Sequence, residues 1–446
     1  MSLFKAYDLR GKVPEDLNED IAYKIGRAYS TLYRPNKIAV GYDIRNESIA
    51  ITEALSRGLT ESGVDVMNIG LCGTEEVYFA TFHHQLDGGI MVTASHNPKG
   101  HNGMKLVGPQ AKPISADTGL QNIKALVESE EFFNSSSTGM ATNEPSKQDY
   151  IQHLLSYVNH DNLKPMKIVA NPGNGGAGIT LKQIAQHLPF EFIYLNEEPN
   201  GDFPNGVPNP LLLDNQTTTA EAVIANNAEI GLAWDGDFDR CFFFDADGRF
   251  IEGYYLVGLL AETILARNPG GKIIHDPRLI WNTIEQTKQA GGEPVQSKCG
   301  HAFIKEIMRD QDAVYGGEMS AHHYFREFSY CDSGMIPWLL ITELMSVSGK
   351  SMKELVDERM SAYPCSGEIN FRVSDARKII ESILETYEPK AEAIDKTDGI
   401  SMSFGTWRFN LRASNTEPLL RLNVETMGNH TLLDQVTDEL KTLIES

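Results

Sequence analysis

Three times along this chain a lysine opens a short β-rich run that ends in turn-forming residues: Lys37-Ile38-Ala39-Val40-Gly41, Lys167-Ile168-Val169-Ala170-Asn171 and Lys272-Ile273-Ile274-His275-Asp276. Each run is followed by a helix-like stretch and a second strand candidate, at residues 64–69, 190–195 and, more weakly, 293–296. A third run then appears in each unit: Gly89-Ile90-Met91-Val92, Ile230-Gly231-Leu232-Ala233 and Ala313-Val314-Tyr315. Strands that alternate with helices pair in parallel through crossovers, and a pattern met three times predicts three related α/β units with mixed, mainly parallel sheets.

Punctuation sets the boundaries. Asn134-Ser135-Ser136-Ser137-Thr138-Gly139 opens a polar stretch reaching about residue 147, read as a linker, and further breaks fall near 245–248 and 364–367. The chain beyond Ser366 is too short for a fourth unit of the same kind. It reads as a small α+β domain with a strand, a helix over about 376–386, strands between 400 and 424 and a closing helix over about 432–444. The expected domains are therefore 1–146, 147–247, 248–365 and 366–446, a count that 446 residues readily accommodate.

Composition narrows the function. A formal charge of -22 argues against nucleic acid and anionic membranes as partners, so any phosphate must be met by local positive charge. The five cysteines form no CxxC pair or metal-ligand spacing, which fits a reducing compartment. The opening MSLFKAYDLRG lacks the apolar core of a signal peptide, and the best apolar run, 254–261, is cut by Glu262 and is too short to span a bilayer. A soluble cytoplasmic protein is expected.

The third run of every unit ends in a polar loop: Thr93-Ala94-Ser95-His96-Asn97-Pro98, Asp235-Gly236-Asp237-Phe238-Asp239-Arg240 and Gly317-Glu318-Met319-Ser320-Ala321-His322. Open α/β sheets bind ligands beyond the carboxyl ends of their strands, so three such loops facing one another would form a single shared site. On an extended segment neighbouring side chains point apart, which makes His96 a poor base for Ser95. The same extended spacing would put Asp235, Asp237 and Asp239 on one side, where they repel unless a hard cation such as Mg2+ offsets them. An EF-hand is excluded, since its sixth position wants Gly and its twelfth Glu, whereas this loop has Arg240 and Ala246. Glu318, Ser320 and His322 alternate likewise, so two could grip sugar hydroxyls while His322 exchanges protons.

Other motifs are weaker. Gly173 to Gly178 matches GxGxxG with Glu197 and Glu198 about where a ribose-binding acid would fall, but no hydride-transfer constellation accompanies it and a structural glycine turn is preferred. Leu411-Arg412-Ala413-Ser414-Asn415-Thr416-Glu417-Pro418, with Arg421 beyond, reads either as a plain hairpin or as a set of donors suited to a dianionic phosphate. Tyr7-Asp8-Leu9-Arg10-Gly11 and Asn102-Gly103-Met104-Lys105 each place a cation beside a glycine.

TASHNP, DGDFDR, GEMSAH and RASNTEP, in this order and at these separations, resemble the four signature loops of the α-D-phosphohexomutase family, and the resemblance covers the whole chain. It implies a four-domain, heart-shaped molecule with a central cleft. It also implies reversible interconversion of mannose 1-phosphate and mannose 6-phosphate through a hexose 1,6-bisphosphate, supplying GDP-mannose synthesis, with a side activity on glucose phosphates. By resemblance Ser95 is the phosphoserine, and its phosphate joins Asp235, Asp237 and Asp239 around one Mg2+. Glu318 and Ser320 bind the sugar, with Tyr7, Arg278 and His301 in the substrate-binding set. Arg412, Ser414, Asn415, Thr416 and Arg421 hold the non-reacting phosphate. Lys105 and Arg240 stabilise the phosphoryl group in transfer, and His322 exchanges the proton with Arg10 and Lys105 as helpers. Hexose phosphates are the implied partners, a hexose 1,6-bisphosphate the activator, and a monomer or homodimer the assembly. A phosphorylated Ser95 would need no resident base. Phe238 stands where glycine is frequent, Cys299 where threonine is frequent and Arg278 where lysine is common, departures that bear on substrate selection rather than on the reaction. Two readings of other kinds compete: a Mg2+-dependent phosphatase with Asp235 as nucleophile, and a non-catalytic sugar-phosphate binding protein.

Overall fold

The lysine-headed runs become Lys37–Tyr42, Lys167–Asn171 and Lys272–His275, and each lies inside its sheet with its second run on one side and its third on the other, both parallel to it. Beyond the opening lysine almost every residue of these strands is buried, as expected of strands covered on both faces. The structure, a computed structural model, describes residues 3–413 and 419–445. It falls into two units, residues 1–250 with 327–349 and residues 251–326 with 350–446.

The first unit holds two of the repeats. In one sheet the order is Leu9–Lys12, His101–Val107, Gly89–Val92, Lys37–Tyr42, Asp65–Leu71, Ala141–Asn143. The last of these lies in the stretch expected to be a linker: Ala141 to Asn143 pair in parallel with Val66 to Asn68, so part of that stretch is an edge strand. The other sheet runs Cys241–Phe244, Ile230–Trp234, Lys167–Asn171, Glu191–Tyr194. Helices Glu19–Tyr33 and Ser48–Glu61 cover the first sheet. Asn18 caps the former by accepting from the Ile21 amide at 3.1 Å. The two helices touch backbone to backbone, since a Cβ on Gly58 would lie 2.2 Å from the Tyr23 carbonyl oxygen.

In the second unit the third repeat orders its strands Glu293–Gln296, Lys272–His275, Tyr315–Gly317, His323–Phe325. Its third strand begins at Tyr315, two residues later than the pattern suggested, because Ala313 and Val314 still form the link from helix His301–Gln311. The C-terminal α+β part is an antiparallel sheet in the order Ile369–Arg372, Leu419–Thr426, Trp407–Ala413, Ile400–Ser403, Ala393–Asp395, packed against helices Ala376–Tyr387 and His430–Glu445. Among the described residues no helix is long and apolar enough to cross a membrane.

One topological feature positions the chemistry. In all three repeats the strand after the third run returns antiparallel to it: His101–Val107 on Gly89–Val92, Cys241–Phe244 on Ile230–Trp234 and His323–Phe325 on Tyr315–Gly317. The polar loops are thus strand-to-strand connections rather than strand-to-helix ones. A chain that reverses direction within a few residues cannot stay extended, and the consequences appear in each loop.

Candidate active site

In the first loop Ser95 takes a left-handed backbone conformation, φ 49°. That kink overturns the geometry expected of an extended segment, where the two side chains would point apart: His96 Nδ1 lies 3.1 Å from Ser95 Oγ. The imidazole is held neutral, because burial and then the Arg240 and Arg10 cations push its pKa well below the ordinary histidine value. Arg240 Nη2 donates to the same Nδ1 at 2.5 Å, which makes that nitrogen an acceptor and leaves the proton on Nε2. Ser95 Oγ also donates to Asp235 Oδ2 at 3.1 Å.

The acidic loop is a coil rather than an extended segment, with Phe238 at φ 43°. The three carboxylates therefore do not line one face by alternation; the turn itself gathers them, and one oxygen of each of Asp235, Asp237 and Asp239 lies within 4.8 Å of the others. The close approach of the two loops needs Gly236, whose Cβ would stand 2.6 Å from the Ser95 carbonyl oxygen. Phe238 is fully buried, its ring against Gly73 and Gly176. Gly176 belongs to the glycine-rich turn, where a Cβ on Gly178 would stand 2.3 Å from the Glu197 carbonyl oxygen and Gly173 has φ 61°, so these glycines serve packing and turn geometry.

Lys105 Nζ bonds Asp237 Oδ2 at 2.7 Å and Asp239 Oδ2 at 2.5 Å, while Thr74 Oγ1 donates to Asp237 Oδ2 at 2.5 Å. Arg240 grips Asp235 Oδ2 through Nε at 2.9 Å and Nη2 at 2.6 Å. Burial pushes the Asp235 carboxyl up to about 6 against Arg240, with the charges of Asp239 and Asp237 adding to the rise. Burial acts on Asp237 in the same sense, but Lys105 more than offsets it and holds that carboxyl well below the usual range. Asp237 Oδ1 is buried with no hydrogen-bond partner among the described residues. An all-oxygen donor set with an unspent carboxylate oxygen suits a hard divalent cation such as Mg2+.

Arg10 joins this cluster through Asn97, whose Oδ1 accepts from Arg10 Nη1 at 2.7 Å. Tyr7 is half-buried nearby in sequence. Two residues that no motif marks, Asp43 and Arg45, underlie the whole serine loop. Arg45 donates to the carbonyl oxygens of Ser95 at 2.8 Å, Asn97 at 2.6 Å, Pro98 at 3.1 Å and His101 at 3.0 Å. Asp43 accepts from Thr93 Oγ1 at 2.7 Å, and Thr93 Oγ1 in turn accepts from the Ser95 amide at 2.8 Å. The available signal was positional: Asp43-Ile44-Arg45 directly follows the carboxyl end of the central strand.

The second unit gathers the other predicted residues. Glu318 to His322 form a tight turn, with the Glu318 amide on the His322 carbonyl at 2.9 Å and Ala321 at φ 70°, so the expected shared face of an extended loop is replaced by a reversal. The turn still brings the side chains together: His322 Nδ1 is 3.4 Å from Glu318 Oε2 and 3.5 Å from Ser320 Oγ. Glu318 also accepts from the Gly300 amide at 2.9 Å and Tyr324 Oη at 2.6 Å. Burial alone would raise its pKa, but His322, Arg278 and the Tyr324 hydroxyl hold it far below the usual range. Arg278 pairs with Asp276 at 2.7 Å and reaches Ser320 Oγ at 3.4 Å. His301 is the first residue of helix His301–Gln311, directly after Gly300. Arg412 and Arg421 face each other as cross-strand partners. Ser414, Asn415 and Thr416 lie outside the described residues.

Comparison with known proteins covers the chain from end to end. Four family profiles match in order: phosphoglucomutase/phosphomannomutase α/β/α domain I over residues 1–134, domain II over 148–248, domain III over 252–363 and the C-terminal domain over 368–443. The chain is 58% identical over 441 residues to a relative from Xanthomonas campestris pv. campestris described as "Phosphohexose mutases", covering 99% of this chain and 98% of that one. It is 54% identical over 453 residues to a phosphomannomutase from Salmonella montevideo, covering 100% and 99%. Among solved structures, a phosphoglucomutase/phosphomannomutase family protein from Burkholderia thailandensis is similar with a TM-score of 0.89 and 28% identity, covering 100% of this chain and 97% of that one.

Proposed function

The chain belongs to the phosphoglucomutase/phosphomannomutase family of isomerases, and from that premise we propose that it interconverts mannose 1-phosphate and mannose 6-phosphate through a hexose 1,6-bisphosphate, in supply of GDP-mannose synthesis. The observation that carries the reading is Ser95 Oγ at 3.1 Å from Asp235 in the three-carboxylate loop. A serine there has no strong base of its own, since the His96 pKa is pushed well below the ordinary value and its Nδ1 lone pair is engaged by Arg240. It is suited to carry a phosphoryl group rather than to attack unaided.

In the first half-reaction the P–Oγ bond of phosphorylated Ser95 breaks as a P–O bond to a sugar hydroxyl forms. His322 takes the hydroxyl proton, and the serine oxygen leaves as an alkoxide whose charge the Arg240 and Lys105 cations of its own cluster offset. In the second half-reaction the same oxygen attacks the phosphorus at the other end of the bisphosphate, and His322 returns the proton to the sugar oxygen that is uncovered. Asp235, Asp237 and Asp239 would hold one Mg2+, which when bound supplies Lewis-acid polarisation of phosphoryl oxygens. Glu318 would accept from sugar hydroxyls, and Ser320, Tyr7, Arg278 and His301 would help orient them, Arg278 as a donor. Arg412 and Arg421, with Ser414, Asn415 and Thr416, would bind the non-reacting phosphate, while Arg10 fixes the Ser95 loop through Asn97. The domain limits proposed are 1–146, 147–247, 248–365 and 366–446, in a cytoplasmic monomer or homodimer.

The test is incubation with mannose 1-phosphate, Mg2+ and a trace of hexose 1,6-bisphosphate. Mannose 6-phosphate is the expected product, with one phosphoryl group mapped to Ser95 by peptide mass. Release of free phosphate with the label on Asp235 would identify a phosphatase, and unchanged substrate with measurable binding a binding protein; either defeats the proposal.

A further inference from the structure

Arg412 and Arg421 oppose each other on adjacent antiparallel strands. Like charges placed directly opposite destabilise a sheet unless an anion lies against both. Glu368, the residue before strand Ile369–Arg372, supplies that anion. Its Oε1 is 3.3 Å from Arg421 Nη1, and its Oε2 is 3.6 Å from Arg412 Nη2. Arg278 closes the group, with Nη1 3.2 Å from Glu368 Oε2. The three guanidinium groups and the carboxylate are all largely or fully buried, at 3%, 7% and 21% side-chain exposure for Arg278, Arg412 and Arg421 and 21% for Glu368. Asp276 and Asp398 supply further negative charge to Arg278 and Arg412 at 2.7 and 3.9 Å. With Glu318 Oε1 at 3.8 Å from Arg278 Nη2, three cations meet four carboxylates, and the group carries no surplus positive charge as it stands. Arg412 Nε has no hydrogen-bond partner among the described residues, so the guanidinium keeps donor capacity in reserve.

Such a group does not attract a dianion by surplus charge. Beyond that reserve, a phosphate gains there by taking guanidinium donors from the carboxylate that already holds them. We infer that Glu368 is an internal competitor for the non-reacting phosphate: it holds Arg278, Arg412 and Arg421 in the free protein and is displaced from them when a phosphate dianion binds. Resting on the proposed mutase reaction, the purpose follows from the turnover of the bisphosphate, which must let go at one end before it can present the other. A grip of three unopposed arginines would make that release slow, and an internal carboxylate ready to recapture them makes it reversible. Arg278 takes part through its length, since its fork spans Asp276, Ser320 and Glu368 together.

The experiment titrates the full chain with inorganic phosphate by calorimetry at constant ionic strength, comparing the native protein with Glu368→Gln and Glu368→Asp, and follows unfolding of each. Glu368→Gln should bind phosphate about tenfold more tightly, equivalent to about 1.4 kcal/mol. Glu368→Asp, which keeps the charge on a shorter arm, should fall between the two. A carboxylate that merely props the arginines would give weaker binding when lost, so equal or weaker binding by Glu368→Gln with an unchanged unfolding midpoint overturns the inference. Should Glu368→Gln fail to fold, equal or weaker binding by Glu368→Asp overturns it alone. In turnover assays Glu368→Gln should lower both KM and kcat; a raised KM counts against it. Phosphate binding needs no turnover, so a native protein without mutase activity would defeat the proposed function while the titration still decides the role of Glu368.

Discussion

Replacing Arg45 with lysine tests whether the serine loop is positioned from beneath. The guanidinium makes four bonds to carbonyl oxygens between Ser95 and His101, at 2.6 to 3.1 Å, and is 3.4 Å from Asp43. A lysine keeps the charge opposite Asp43 but has a single nitrogen, and its donors cannot span carbonyls that the fork of an arginine reaches from two sides. If two of the four bonds are lost, and each bond to a charged donor is worth about 1.5 kcal/mol, the loop loses about 3 kcal/mol of local restraint. That is small against the whole fold and large against the positional precision that transfer requires. A displacement of order 1 Å at a reacting atom costs about 10²-fold in rate. We expect Arg45→Lys to lower kcat/KM for mannose 1-phosphate by about 10²-fold at saturating Mg2+ and activator. Phosphate affinity measured by calorimetry should stay unchanged. A variant within threefold of the native rate would refute the reasoning, as would a loss of rate matched by an equal loss of folded protein.

Other outcomes rest on the same geometry. Asp237→Ala should abolish Mg2+ binding by calorimetry and lower turnover by at least 10²-fold while the circular dichroism spectrum is kept, since on the proposed reading the carboxylate would serve a cation rather than the apolar core. Phe238→Gly relieves a left-handed backbone worth about 1 kcal/mol but removes a fully buried ring worth about 4, so a net loss near 3 kcal/mol is expected in urea unfolding. His153 packs among Phe79, Phe82, Tyr157 and Phe328, and its burial, with a smaller push from His83, lowers its pKa to about 4. The unfolded chain takes up that proton near pH 6.5 and the folded one only near 4, so stability should fall as the pH drops through that window by up to about 3 kcal/mol; His153→Phe should remove this component, read as the difference in urea midpoints at pH 7 and 5. Glucose 1-phosphate should also be converted, because grips on hydroxyls common to both sugars leave no buried group unpaired; a kcat/KM ratio above about 10⁴ would show that the configuration at C2 is read directly.

The strands and the loops that carry chemistry were legible for different reasons. Buried central strands announce themselves as continuous apolar runs, and Lys37, Lys167 and Lys272 mark where each run begins. Ser95, the three aspartates and Glu318 stood out because polar residues clustered directly after such runs. The shape of those loops was not legible, because alternating polar residues fit an extended segment and a tight turn equally well. Whether the next strand is parallel or antiparallel is settled by long-range pairing, and the antiparallel return forces the reversal that puts His96 beside Ser95. Arg45 and Thr74 were missed for another reason. Arg45 acts on backbone carbonyls 50 to 56 residues away, and Thr74 meets Asp237 across a separation of 163, so no local spacing betrays either. Glu368 was hidden by the same distance, 90 residues from Arg278.

The reversal also explains a shared feature of the three loops. Each contains one non-glycine residue in the left-handed region: Ser95 at φ 49°, Phe238 at 43° and Ala321 at 70°. Glycine would take this conformation without the cost of about 1 kcal/mol that a side chain incurs. At Phe238 the side chain offsets the strain by filling the space between Gly73 and Gly176. At Ser95 the side chain donates to Asp235, while its carbonyl is bonded by Arg45 and its amide by Thr93. The backbone of Ser95 is thus fixed on both sides of a strained residue. On the proposed mechanism, a loop held that firmly would lose and regain a phosphoryl group on Oγ without searching for its conformation at each turnover, as two transfers of opposite direction on one serine would demand.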